Sequence, residues 1–221
     1  MIVIIDGPPA SGKSTFASFL AKKFNARICS FKRLGFLNFS AELLLRIMPS
    51  LSIFSGKTRR VKVIQELKRE RKDPVLFISS SFLQRIVSIN FLLEVIYKYV
   101  RFFSLIILAL MYRSIIVDEW FSLEWANYYN LMVYKKAFKP RHVEVLIRLD
   151  ILFLRFLSKA IRIRVYFIDR DQEKLTLFWR RRGHKMPYDI RYAALTRYFF
   201  NLFTHTYKEY KININIKSLY L

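Results

Sequence analysis

Residues 7–14, Gly7-Pro8-Pro9-Ala10-Ser11-Gly12-Lys13-Ser14, fit the Walker A (P-loop) pattern G-x-x-x-x-G-K-[ST] in full. The chemistry that this spacing serves is phosphate binding. Successive backbone N–H groups of such a loop form a nest for an anion, and the helix that follows adds its positive end. Gly12 lets the backbone approach closely. Lys13 reaches the β- and γ-phosphates of ATP or GTP, and the Ser14 hydroxyl can bind Mg²⁺. Nucleotide binding is thus expected at Gly7, Pro8, Pro9, Ala10, Ser11, Gly12, Lys13, Ser14 and Thr15. A second half of the site is expected at Asp118, where the apolar run Ser114-Ile115-Ile116-Val117 ends in a carboxylate beside Mg²⁺ and phosphate. Glu119 either polarises a water or an acceptor hydroxyl, or is an exposed acid at a helix start. Asp6, directly before the loop, either contacts the acceptor or the metal's hydration shell, or caps the turn. A third group is Trp179-Arg180-Arg181-Arg182-Gly183-His184-Lys185. Phosphoryl transfer needs cations around the migrating group, so Arg180 and Arg182 are catalytic candidates and Arg181 a nucleotide contact. A basic helix end favoured by the helix dipole accounts for the same residues.

The elements that must position these groups follow from periodicity. Residues 1–5 read as a buried strand, and a helix runs from Lys13 to about Phe24. Residues 26–31, 114–117, 163–168 and 212–216 read as further strands. Helices are expected over 42–48, ended by Pro49, and over the basic stretch 59–73, closed by Pro74. Others are expected over most of 83–111, then 120–138, 142–159, up to Arg182 and 190–210. The 142–159 helix reads as nearly apolar and therefore buried. Asp169 with Gln172, or Asp171 alone, is expected to cap the helix before Arg182. Strands separated by helices imply a parallel sheet covered on both faces, with ligands at the carboxyl ends of the strands. The expected class is α/β: a three-layer P-loop NTPase fold with a parallel sheet of five strands. The aromatic residues are expected in the core, with Trp120 or Phe121 considered for stacking on a base.

Composition bounds the rest. The chain has 221 residues, 53% of them hydrophobic, which supports a folded core. Lys and Arg number 39 against 16 Asp and Glu, so the net charge is +23. Such a field attracts nucleotides, nucleic acid or an anionic membrane surface without choosing among them. The single cysteine, Cys29, excludes an intramolecular disulfide. The opening Met1-Ile2-Val3-Ile4-Ile5-Asp6 lacks the pattern of a secretory leader, and a cytoplasmic location is expected. Residues 91–112 are the most apolar stretch, but Glu94, Lys98 and Arg101 interrupt it, so a buried helix is expected there rather than a membrane span. No His/Cys cluster of metal-ligand spacing and no Ser/His/Asp arrangement stands out.

The opening Ile5-Asp6-Gly7-Pro8-Pro9-Ala10-Ser11-Gly12-Lys13-Ser14-Thr15 resembles the start of nucleoside monophosphate kinases, and the downstream order resembles divergent thymidylate kinases. Val165-Tyr166-Phe167-Ile168-Asp169 leads through a helix to Arg180-Arg181-Arg182-Gly183 and Asp189, as a strand leads to a lid in that family. The resemblance implies a single kinase-like domain over 1–221, with a helical acceptor-side insertion at about 34–112 and a lid at about 180–189. It implies an ATP- and Mg²⁺-dependent phosphotransferase acting on a small molecule, with a nucleotide as the leading acceptor. The family's Asp-Arg pair is Asp118-Glu119 here, and its earlier lid-helix arginine falls on Phe178, so the acceptor stays open. A nucleic-acid-directed ATPase, a polynucleotide kinase and a non-catalytic nucleotide-binding protein are the alternatives. A homodimer is left open.

Overall fold

The structure, a computed structural model, describes residues 1–31, 35–47, 74–183, 187–210 and 212–220. The expected basic helix over 59–73 and the pair His184 and Lys185 lie outside these residues.

The described chain forms β1 (Ile2–Asp6), α1 (Lys13–Phe24), β2 (Arg27–Ser30) and α2 (Gly35–Ile47). After a 3₁₀ turn at Pro74–Phe77 come α3 (Ser80–Arg85), α4 (Val87–Met111) and β3 (Ile115–Asp118). Then follow α5 (Phe121–Lys135), α6 (Pro140–Ala160), β4 (Ile163–Asp169), α7 (Gln172–Arg181), α8 (Ile190–Glu209) and β5 (Ile214–Tyr220). The chain divides into two compact units: Met1–Lys32, Tyr99–Ala126 and Ile147–Leu221 form one, and Arg33–Lys98 with Asn127–Leu146 form the other.

The first unit holds a five-stranded sheet in the order β2-β3-β1-β4-β5, parallel throughout. A parallel sheet with helices on its faces is the α/β architecture of a P-loop NTPase. β1 is central because it is apolar on both faces. Ile2, Val3, Ile4 and Ile5 are all buried, as a strand covered from both sides requires. Val3, Ile5 and Ile116 pack with Ala17 and Leu20 of α1 and with Ile168, so the core lies directly beneath the loop after β1. The edge strands are different. β5 extends to Tyr220 rather than stopping near Ile216, because a half-exposed edge accepts Lys217 and Ser218.

Two helices differ from the sequence expectation in which face they bury. α6 is amphipathic rather than wholly buried: Ile151, Leu154 and Leu157 are inside while Leu152 and Phe156 are exposed. In α4 the buried stripe includes polar residues. Glu94, Lys98 and Arg101 are inside, while Phe103, Ile107 and Leu110 face outward. Burial of these charges is tolerated because they are partnered. In the first unit Arg101 donates to Glu124 and, at 2.7 Å, to Asp150, whose other oxygen accepts from the Trp125 indole at 2.8 Å. In the second unit Glu94 accepts from the Leu37 amide and the Tyr128 hydroxyl, both at 3.0 Å, and the Lys98 ammonium lies 5.0 Å from the Tyr128 ring centroid. Among the described residues no helix is long and apolar enough to cross a membrane.

Removing one member of a buried ion cluster strands its partners, at a cost of about 3–5 kcal/mol. Arg101→Met is therefore expected to lower the melting temperature by roughly 10 °C in a chain of this size. An unchanged melting temperature would show that the cluster is not a structural anchor.

Candidate functional site

The first unit carries the candidate site. β1 ends at Asp6, and α1 begins at Lys13 with Gly12 as its cap residue in the left-handed region, φ 99°. No side chain caps α1 and its first turn holds no acid. The N–H groups of that turn have no intrahelical acceptor, so the positive end of the helix is open to an anion. Residues 7–14 thus form the loop that the sequence pattern requires.

The loop's shape is imposed from outside. Gly7 has φ 140°, and a β-carbon there would collide with the carbonyl oxygen of Ile168 on β4. The Asp6 carboxylate is fully buried and accepts from the Gly7 amide at 2.8 Å and the Ser122 amide at 2.7 Å. Of the roles considered for it, the structure shows the turn cap, extended to the first turn of α5. Burial pushes the Asp6 carboxyl up from its ordinary pKa, while these amide donors oppose the shift. At the apex, Ala10 packs with Leu175, Tyr188 and Ala193. The Tyr188 phenol donates to the Pro9 carbonyl at 3.1 Å, and burial raises its pKa.

Lys13 is buried and its ammonium donates to the carbonyls of Gly7 and Pro8, each at 2.8 Å. It also pairs with Glu119 at 3.4 Å. Glu119 is therefore neither a free surface acid nor a helix-start residue; α5 begins two positions later, at Phe121. Its backbone sits at φ 70°, an unfavourable region for a side chain with a β-carbon. Such strain persists only where the surroundings impose it. Here the Glu119 amide donates to the Ile5 carbonyl at 2.9 Å, continuing the β1–β3 ladder past its end. Asp118 is half-buried, paired in register with Ile5, and so ends β3 beside the start of the loop.

Arg180 and Arg181 close α7, and Arg182 follows as its cap residue; all three are exposed. Arg181 lies 5.7 Å from the Phe178 ring centroid. No hydrogen bond or ion pair joins the side chains of Arg180 or Arg182 to the loop among the described residues. The arginine that does meet the loop is Arg170. Its Nε donates to the Ser11 carbonyl at 2.8 Å, and its guanidinium lies 4.4 Å from the centroid of Phe178. Sequence reasoning passed over it because Asp169 and Asp171 on either side of it were read as candidate helix caps. The expected caps of α7 also differ. Asp171 occupies the cap position without a side-chain cap hydrogen bond. Asp169 accepts from the Arg170 amide at 2.8 Å and takes a two-pronged contact from Arg197, at 2.7 and 2.9 Å. Trp120 is buried, stacked on Phe121 and covered by Arg101. Phe121 is buried against Phe203. Neither ring is open to a base.

No protein-family model and no curated protein matches the chain. Solved structures do. A deoxyadenosine kinase from M. mycoides with bound dATP superposes with a TM-score of 0.51 at 13% identity, over 99% of this chain and 90% of that one. The structure of that kinase with bound dCTP gives 0.50 at 14% identity, over 99% and 89%. Thymidylate kinase from Candida albicans is 16% identical over 99% and 83%, with a TM-score of 0.46 that adds no weight. At such identities the likeness is one of fold. The chain shares the P-loop α/β fold of that deoxyadenosine kinase.

The strain at residue 119 can be read directly. Alanine and glycine both remove the carboxylate, but only glycine relieves the positive φ. Glu119→Gly is expected to melt about 2–4 °C above Glu119→Ala, equivalent to about 1 kcal/mol. The reverse order, which is usual within regular elements, would show that the residue is unstrained.

Proposed function

We propose that this chain is an ATP-dependent phosphotransferase acting on a small molecule, with a nucleotide, in the manner of the thymidylate kinases, as the leading acceptor. The observation that carries this reading is the loop at residues 7–14, with Lys13 buried inside it and Asp118 at the end of the neighbouring strand. Binding of a triphosphate exchanges the Lys13 contacts to Gly7 and Pro8 for contacts to β- and γ-phosphate oxygens. The amides at the start of α1 take the rest of the charge. Thr15, in the first turn of α1, and Arg181 add nucleotide contacts.

Ser14 and Asp118 are the residues to hold Mg²⁺. Among the described residues no group of three or more His, Cys, Asp or Glu could hold a metal. One hydroxyl and one carboxylate fit an ion that takes its other ligands from phosphate oxygens and water. When bound, Mg²⁺ offsets the charge that builds on the phosphates. Lys13 carries positive charge to the same group, and Arg180 and Arg182 are the exposed cations available to steady the transferring phosphoryl. Glu119, or Asp118, orients the acceptor hydroxyl. The net charge of +23 favours a second reading, a nucleic-acid-directed enzyme that phosphorylates 5′-hydroxyl ends.

The test is ADP release from ATP and Mg²⁺ against nucleoside monophosphates, nucleosides and 5′-hydroxyl oligonucleotides, with Lys13→Ala as control. Acceptor-dependent ADP from a monophosphate or a nucleoside, reduced at least about a hundredfold in the variant, is expected. Release only with oligonucleotides would support the second reading. Release independent of any acceptor would make the protein an ATPase. ATP binding without turnover would leave a nucleotide-binding protein.

A further inference from the structure

Arg170 stands one residue beyond β4 and two beyond Ile168, the residue that Gly7 closely approaches. Its backbone is fixed on both sides. The amide donates to Asp169 at 2.8 Å and the carbonyl accepts from Arg197 at 2.9 Å. Arg197 in turn grips both oxygens of Asp169. The side chain is fixed as well, with Nε on the Ser11 carbonyl and the guanidinium plane against Phe178. A planar cation held at one N–H and one face has a defined orientation for its remaining donors. Those donors are the two Nη groups. Nη2 lies 3.1 Å from the position that a β-carbon on Gly12 would take, beside the cap of α1. Neither Nη group donates to another residue among the described ones.

A clamp for the loop would need only the Ser11 bond and the Phe178 contact. It would not need four unspent N–H donors of a half-buried cation at the mouth of an anion nest. We propose that Arg170 is a nucleotide-binding residue, donating from its Nη groups to the phosphate chain held at residues 7–14 and sharing that charge with Lys13. The proposal rests on the nucleotide-binding reading above and adds a residue that the loop motif does not contain. It also explains the use of arginine. A lysine carries its three donors on one nitrogen and lacks the fork by which Nε holds the Ser11 carbonyl while the Nη groups reach a phosphate. Glutamine can keep a donor on Ser11 while losing the charge.

The test is calorimetric titration of ATP and of adenosine into the wild-type chain, Lys13→Ala, Arg170→Gln and Arg170→Lys, with melting temperatures recorded without ligand. Arg170→Gln is expected to weaken ATP by about ten- to a hundredfold, the range of a charge-assisted hydrogen bond. Arg170→Lys should fall between the glutamine variant and wild type, and adenosine affinity should be the same in all folded chains. An Arg170→Gln chain that folds and binds ATP within about twofold of wild type would overturn the proposal and leave Arg170 a clamp, as would weakened ATP and adenosine binding in equal measure. If glutamine prevents folding, Arg170→Lys at wild-type ATP affinity overturns it instead. A wild-type chain that binds no ATP sinks the nucleotide reading itself. ATP binding lost in Lys13→Ala but kept in Arg170→Gln sinks the Arg170 proposal alone.

Discussion

Everything at the candidate site depends on how closely Gly7 approaches the carbonyl of Ile168. The space between the two backbones admits no β-carbon. β1 and β4 are paired in register up to Asp6 and Phe167, so the chain leaves the sheet hard against its neighbour and must turn there. A glycine at φ 140° makes that turn. The buried Asp6 then fixes the next amide and, through Ser122, the start of α5. Tyr188 holds Pro9, Leu175 packs on Ala10 and Arg170 holds Ser11. The loop's shape is therefore set by the protein's own contacts. Donors held in place this way need no reorganisation when an anion arrives, which is where an electrostatic site gains its strength.

The charges sort themselves around this frame. The positive groups that touch the loop, Lys13 and Arg170, come from different elements, one from the start of α1 and one from just beyond β4. Of the carboxylates, Asp6 comes from the end of β1, and Asp118 and Glu119 from the end of β3. Glu119 engages the Lys13 ammonium, and in the proposed reading a phosphate competes for the same cation. The cost of placing Glu119 in the left-handed region is consistent with a position kept for its carboxylate rather than for stability. Arg180, Arg181 and Arg182 form a separate exposed cluster at the end of α7.

Much of this was legible in the sequence. The spacing of Gly7, Gly12, Lys13 and Ser14 defines the loop, and the apolar stripe after it defines α1 from Lys13 to Phe24. The run ending at Asp118 defines β3. What was not legible depends on pairs far apart in the chain. Asp169 looks like a helix cap until Arg197 is seen to claim it. Arg170 looks solvated until β4 is placed beside β1. Glu94, Lys98 and Arg101 of α4 look like interruptions of an apolar helix, yet they lie on its buried side, because Glu124, Asp150 and Tyr128 supply partners from other helices. α2 begins at Gly35, well before the expected 42, where no cap residue of the usual kind announces it.

The central claim is that residues 7–14 hold the phosphates of a nucleotide. The most direct measurement is the melting temperature of the wild-type chain with Mg²⁺ and either ATP, inorganic triphosphate or adenosine. Ligand at about a hundred times its dissociation constant adds about 2.7 kcal/mol to stability. ATP and triphosphate should both raise the melting temperature by several degrees and adenosine should leave it nearly unchanged. Stabilisation by adenosine with none from triphosphate would contradict the account.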